Sequence, residues 1–455
     1  MSRPAARRMP FVDATFLRIE TPHTPMHVGS LQIFTIPKKA GPNFVQDIVT
    51  AFRAPGDLVE PFNLRLTGGP LAQVSPSLRP TAEVDRDYHV RHTALPAPGG
   101  ERELGDLISH LHGVLLDRSR PLWTCHVIEG LKGGRFAVYT KMHHSVTDGV
   151  NGMRLATRSL ATAATGAWSA PWLQPAAPKS EHRNTGAGAP AKMALYDWPI
   201  SLGRGVLGLL PGMTRPERVR VPFEAPGSVL NSKVTAARRV ATQQLQLARV
   251  QEVAHRANVS VNDVFLAICA SALRRHMLDA GKLPDRSLIA GVPVSLREPG
   301  ETGGNAVGFV WATLGTDLVE PRERLNAIHA SMRAAKDHLR RMPGPARRLF
   351  TTMTMAPAIG VLLSGQAPHL PPPMNVTISN VPGPDRPLYL NGARLAGFYP
   401  VSVPFQGQAL NITCVTYNGQ FNIGFTGSRD NLPHLQRLAA YSREALEELE
   451  ATLAA

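Results

Sequence analysis

The residues of this chain whose types and spacing could do chemistry are gathered in one run, His143-His144-Ser145-Val146-Thr147-Asp148-Gly149. An imidazole, with an unperturbed pKa of about 6.5, can take a proton from a hydroxyl or thiol near neutral pH. Acyl transfer to such a nucleophile needs that step. Phe136 to Lys141 is rich in β-formers, and period-two geometry places His143 and His144 on opposite faces of the strand, so one of them can enter a given cleft. Gly149 permits a positive φ or a close backbone approach, and Val150 to Ala164 has the apolar spacing of a helix. The unit reads strand, tight turn, helix. Adjacent histidines on a strand diverge and no H-x-x-x-H or H-E-x-x-H set accompanies them, which speaks against a metal site. An Asp before Gly in a turn is, by itself, a turn or capping residue.

The elements that must position this run alternate between strand and helix. Met26 to Pro37 has strand character and Phe44 to Phe52 a helix pattern, with a second helix over Glu103 to Leu116. Pro121-Leu122-Trp123 opens a strand through Ile128, and Gly133-Gly134 forms a hairpin turn into the histidine strand. From Thr165 to Pro226 the composition shifts to Ala, Pro and Gly, the mark of a crossing linker. The second half starts with a strand at Arg238 to Leu245, a strong helix at Val261 to Leu278 and a strand at Ser287 to Ser295. Strands follow at Val307 to Leu314, Met374 to Ser379, Leu395 to Val401, Leu410 to Tyr417 and Gln420 to Gly427, and a helix at Leu432 to Leu453. The expected organisation is a mixed α/β chain with an N-terminal domain over 1–164, a linker over 165–226 and a C-terminal domain over 227–455, as suits a chain of 455 residues.

Composition bounds the partners. Hydrophobic residues at 43% and charged residues at 18% are those of a globular protein. The formal net charge of +15 favours an anionic partner: a membrane surface, a phosphate-bearing ligand or nucleic acid. The chain has no recognition-helix, zinc-finger or RNA-stacking signature, so nucleic acid is not expected. Cys125, Cys269 and Cys414 are far apart and odd in number, and read as buried, reduced thiols. The stretch from Met9 to Glu20 is broken by Asp13, Arg18 and Glu20 and cannot be a signal-peptide core, and no apolar run reaches the ~20 residues of a membrane span. A cytoplasmic protein is expected, with neither export nor a bilayer-spanning anchor.

Other motifs are weaker. Gly203-Arg204-Gly205-Val206-Leu207-Gly208 fits G-x-G-x-x-G but lacks a preceding strand, and the chain has neither a Walker-type loop nor a G-x-S-x-G elbow. Trp198 to Leu210 is apolar and Gly-punctuated, suited to a lipid surface or to internal packing. Leu349 to Leu363, preceded by Arg340, Arg341, Arg347 and Arg348, suits docking to an anionic lipid surface or an internal helix.

The run His143 to Gly149 resembles the H-H-x-x-x-D-G motif of the bacterial bifunctional wax ester synthase/acyl-CoA:diacylglycerol acyltransferases, within the chloramphenicol-acetyltransferase-like superfamily. Further blocks occur in the matching order. Pro25-Met26-His27-Val28-Gly29 resembles the N-terminal strand signature, Arg120-Pro121-Leu122-Trp123 with Val127 to Leu131 the P-L-W block, and Val261-Asn262-Asp263-Val264 the N-D block. Pro293 to Arg297 resembles a strand end and Ser379 to Pro384 the late N-V-P-G-P loop, so the resemblance runs nearly end to end.

The resemblance implies two acyltransferase-like domains facing each other across a central channel. It implies transfer of a long-chain acyl group from acyl-CoA, as substrate and with no cofactor or metal, to a fatty alcohol or diacylglycerol at a membrane or lipid-droplet surface. His144 would be the general base, with His143 beside it, Gly149 the turn, and Asn262 in the N-D block with Asp263 the oxyanion donor. From sequence, Asn262 serves equally as a helix cap. Asp148 would turn away from the cleft to pair with Arg297, a buried pair whose breakage costs about 3 to 5 kcal/mol. Pro121 and Trp123 would shape the scaffold. Two rivals stay open: a condensation-type enzyme of the same superfamily taking carrier-bound acyl groups, and a non-catalytic lipid-surface protein.

Overall fold

The computed structural model describes residues 6–67, 76–173, 219–295 and 307–454. Among them two six-stranded sheets and a small three-stranded sheet form, with helices between. The first large sheet contains β2 (His27–Thr35), β5 (Val90–Ala94), β6 (Trp123–Leu131), β7 (Arg135–His143), β12 (Tyr389–Leu390) and β13 (Ala393–Val401), in the order β12-β13-β2-β7-β6-β5. The second contains β8 (Arg238–Gln246), β9 (Ile289–Ser295), β10 (Val307–Thr313), β11 (Val376–Pro382), β14 (Leu410–Tyr417) and β15 (Gln420–Ser428), in the order β10-β9-β11-β14-β15-β8. The small sheet joins β1 (Arg7–Arg8), β4 (Ser77–Pro80) and β3 (Leu64–Leu66). Parallel pairs (β5 with β6, β11 with β9 and β14) stand beside antiparallel ones, so the expected mixed α/β architecture is what forms.

The histidine strand is buried on both faces, and its two residue sets separate cleanly. Phe136, Val138 and Met142 pack with Phe34, Trp123 and Trp172, while Ala137 and Tyr139 pack with Leu31, Ile33, Leu104 and Ile108. The hairpin before it turns on Gly133 and Gly134, both at positive φ. The helix Val261–Asp279 is apolar nearly all round, from Val264 to Met277, and becomes the centre of the second core, covered by Pro321–Arg340 and Gln436–Ala454.

The structure departs from the sequence reading at identifiable places. β12 and β13 belong by position to the second half, yet β13 pairs along β2 from Arg394 opposite Thr35 to Val401 opposite Gly29. The division at 227 therefore does not follow the sheets, because the open edge of β2 is closed by a strand lent from the other half. The helix after the motif runs from Gly149 to Thr157 and stops well before Ala164. Beyond it the backbone of Ala161 exchanges two 2.8 Å hydrogen bonds with Tyr389, which a continuing helix would forbid. The linker is packed at its ends: Trp172 is fully buried and donates to Phe52 O at 3.0 Å, and Ala225 is buried beside Trp311. The glycine motif 203–208 and the apolar stretch 198–210 lie outside the described residues.

Candidate active site

β7 ends at His143, and the chain turns there. His143 N donates to Leu122 O at 3.0 Å and His144 N to Met26 O at 2.8 Å, so the Pro121-Leu122 and Met26 segments hold the backbone of both histidines. Pro121 is buried, and the Trp123 indole donates to Phe62 O at 2.8 Å and stacks on His89 and Trp172, a scaffold role.

His143 is fully buried. Its Nδ1 accepts from Ser145 N at 3.1 Å and lies 2.7 Å from Ser145 Oγ, so the ring hydrogen sits on Nε2, which faces Glu20 Oε1 at 3.2 Å. That contact is electrostatic rather than an aligned hydrogen bond. Glu20 also accepts from Met26 N at 2.9 Å and from Arg118 at 2.9 and 3.1 Å. Burial opposes its charge, but His143, the Met26 amide and Arg118 together hold its pKa down to about 2.

His144 has left the strand. Its ring stacks on Phe16, with centroids 4.0 Å apart and planes 14° from parallel. Burial lowers its pKa to about 4; a hydrogen bond to its own carbonyl opposes this, His143 lowers it further and Asp148 raises it. Held neutral, the ring keeps an in-plane lone pair on one of its two nitrogens. His144 is a neutral imidazole with one basic nitrogen.

Beneath the pair, on the face covered by the helix Glu101–Gly113, lies a ladder of titratable groups. His27 stands opposite His143 in the β2–β7 register and its Nε2 lies 2.6 Å from His112 O. His112 meets Tyr139 Oη at 2.7 Å and Ser402 O at 2.8 Å. Lys141 donates to Leu111 O and Val114 O, both at 2.7 Å, closing the end of that helix. Burial lowers Lys141 to about 8 and His112 to about 3, and drives His27 well below its ordinary value. Gly29 makes this possible, since a Cβ there would meet the Tyr139 ring at 2.7 Å.

The remaining predicted residues fall elsewhere. Asp148 is the N-cap of the helix Gly149–Thr157: it accepts from Asn151 N at 2.7 Å and from Asn151 Nδ2 at 3.0 Å. Arg297, its expected partner, lies outside the described residues. Gly149 is not at positive φ and has open space where a Cβ would stand; it is the first helical residue, and the turn is made without it. Asn262 does not cap its helix, because Ser260 Oγ accepts from Asp263 N at 3.2 Å while Asp263 Oδ2 accepts from Ser260 N at 3.1 Å. Asp263 also bonds His329 Nδ1 at 2.9 Å, a structural role. Asn262 is half-buried, and among the described residues its side chain has no hydrogen-bond partner. No hydrogen bond or ring contact among the described residues joins Asn262 or Asp263 to the histidine run.

Phe16 and Glu20 also belong to the site, although no motif marks them and the charges within Met9 to Glu20 break up its apolar pattern. The helix Phe11–Ile19 carried readable signals: Asp13 in the first turn, Arg18 in the last, and Ala14 and Leu17 three apart, which pack with Leu64, Leu78 and Leu122. All three cysteines are free and buried. Among the described residues no cluster of His, Cys, Asp and Glu could hold a metal ion, and no helix is long and apolar enough to cross a membrane. The apolar helix near the C-terminal half's arginines spans Gly344–Leu363 and lies at the surface, with Met353 and Leu363 about half exposed (50% and 48%).

Comparison with known proteins adds the chain's relatives. Residues 9–265 match the family model of the wax ester synthase/diacylglycerol acyltransferase catalytic domain, and residues 303–450 that of the WS/DGAT C-terminal domain. The "O-acyltransferase WSD" of Acinetobacter baylyi is 37% identical over 452 residues, covering 97% of each chain. The solved wax ester synthase/diacylglycerol acyltransferase from Marinobacter aquaeolei VT8 superposes with a TM-score of 0.78 at 37% identity, over 98% of this chain and 100% of that one. The first condensation domain of the CDA synthetase shares the fold, at a TM-score of 0.57 and 16% identity, over 98% of this chain and 97% of that one.

Proposed function

This chain belongs to the wax ester synthase/diacylglycerol acyltransferase family, and we propose that it moves a long-chain acyl group from coenzyme A to the hydroxyl of a fatty alcohol or diacylglycerol, with His144 as the base. The observation that carries the role of His144 is its setting: a half-buried ring with its backbone pinned to Met26 O at 2.8 Å, one face stacked on Phe16, and burial favouring the neutral form that can accept a proton. As the acceptor oxygen attacks the thioester carbon, its proton passes to the His144 ring and the carbonyl electrons move onto oxygen. When the tetrahedral centre collapses, the C–S bond breaks and the imidazolium returns the proton to the departing thiolate. His144 ends as it began, with no acyl-enzyme and no cofactor.

The transient oxyanion needs a donor, and Asn262 is the residue we propose. Its amide is not used in capping, so Asn262→Ala would leave the helix start intact while lowering kcat by about 10²- to 10³-fold if it is the donor. The acceptor is dissolved in lipid, and we propose peripheral docking through the exposed apolar side of Gly344–Leu363, with neighbouring arginines facing anionic headgroups.

The test is an acceptor panel with radiolabelled palmitoyl-CoA, hexadecanol and dioleoylglycerol, separating wax ester from triacylglycerol by chromatography. Ester formed by the wild type and lost in His144→Ala is the expected result. Equal rates in both proteins would remove His144 from the mechanism.

A further inference from the structure

We propose that Phe16 is a positioning residue for His144, fixing the ring plane in which the imidazole lone pair meets the acceptor hydroxyl; this rests on the acyl-transfer reading above. The lone pair of an imidazole nitrogen lies in the plane of the ring. A partner stacked on the ring's face can therefore hold that plane and leave the edge open to substrate, and a phenyl ring does so without offering any proton of its own. Phe16 has that arrangement, with centroids 4.0 Å apart and planes 14° from parallel.

The stack is held from both sides. His144 is pinned through its backbone N to Met26 O at 2.8 Å. Phe16 sits on the helix Phe11–Ile19, whose Ala14 and Leu17 are buried in a cluster with Leu64, Leu78, Leu116 and Leu122. Arg118 Nη2 donates to Leu17 O at 2.8 Å and to Glu20 at 2.9 Å, and Glu20 in turn accepts from Met26 N at 2.9 Å. The same short segment from Glu20 to Met26 thus ties the Phe16 helix to the backbone that carries His144. Asp13 and Phe16 lie three apart on that helix, and Glu20 follows its end at Ile19 as an extended C-cap residue. Burial and then the charge of Asp148 raise the pKa of Asp13.

The experiment uses the full-length chain with ¹³C-labelled histidine, the His144 resonance being the one absent from His144→Ala. The titratable groups acting on that ring are His143 and Asp148 on its own segment; behind them Glu20, paired with Arg118, faces His143, and Asp13 faces Asp148, and all are kept in the variants. In the wild type we expect a ring-current shift at His144 and a titration midpoint well below about 6.5. In Phe16→Leu the shift disappears, the midpoint moves toward 6.5, and kcat falls about tenfold with KM changed less than about twofold. Phe16→Tyr, which keeps the ring, restores both. Wild-type titration and kcat in Phe16→Leu would overturn the proposal. So would an equal loss in Phe16→Tyr, which also decides the matter should the leucine variant not fold. The resonance readout needs no turnover, so a chain without transferase activity would sink the acyl-transfer reading and leave the stack separately testable.

Discussion

The two large sheets bury different kinds of polar group. On the helix-covered face of the first sit His27, Lys141 and His143, with His112 against them, all of them titratable. The second buries amides: Asn231 Nδ2 donates to Met374 O and Gly407 O at 2.9 Å, Asn375 Nδ2 to Asn231 Oδ1 at 2.7 Å, and Ile289 N to Asn375 Oδ1 at 2.8 Å. An amide staple is the same at every working pH. The His27 and His112 rings are not, because burial favours their neutral forms and opposes protonation. The titratable groups of the first sheet therefore lie beside the proposed base, while the second unit is built round an apolar helix that carries the proposed oxyanion donor Asn262 near its start.

Substitutions that separate the units test this contrast, and His144→Ala should have the largest effect. Steady-state kinetics should show kcat down by about 10²- to 10⁴-fold, since a general base contributes that much, while the thermal transition stays put. Phe265→Ala should do the reverse. Phe265 is fully buried in the second core against Phe421, so truncation should cost about 3 to 5 kcal/mol in denaturant titrations while turnover per folded molecule stays within about threefold. Equal losses of activity in both variants would break the comparison.

Glu20→Ala should be next, at about 1.5 to 3 kcal/mol, for the loss of charged hydrogen bonds to Met26 N and Arg118 and of the His143 contact. Its pH dependence gives the sign. The folded pKa of Glu20 is about 2 against an ordinary 4.5, so its contribution is complete above 4.5 and disappears as pH falls toward 2. Unfolding titrations of wild type and variant should converge over that window. His27 and His112 act higher: both are depressed by burial, so the first unit should lose stability as pH falls from about 6.5, which hydrogen exchange would locate on β2 and the helix Glu101–Gly113. The smallest effect should be that of Gly149→Ala. With no positive φ and open space at the Cβ, it should change stability by less than about 1 kcal/mol, in the stabilising direction.

Much of this was readable in the chain, and the misses have physical causes. β2, β7, β8, β14 and β15 lie within a few residues of their expected bounds, because their apolar alternation is local information. The helices Phe11–Ile19, Leu247–Ala257 and Pro321–Arg340 went unread, since short or charge-rich amphipathic stretches show their apolar side once a partner surface is known. At the site, His143, His144, Asp148, Pro121 and Trp123 came from sequence, and Glu20 and Phe16 did not: they lie more than a hundred positions from the histidines they touch.

What the sequence determined by itself is the identity of the reacting group and the strand that ends on it, since residue type and period-two burial are properties of neighbours in the chain. It also carried the family resemblance, block by block. Tertiary structure alone decided which histidine is clamped and which is stacked, because that depends on Glu20 reaching one ring and Phe16 covering the other. It decided that Asp148 caps a helix and Gly149 opens it. It decided, too, that β13 closes the first sheet, since hydrogen-bond partners across several hundred residues are chosen by which edges are left open when the halves meet.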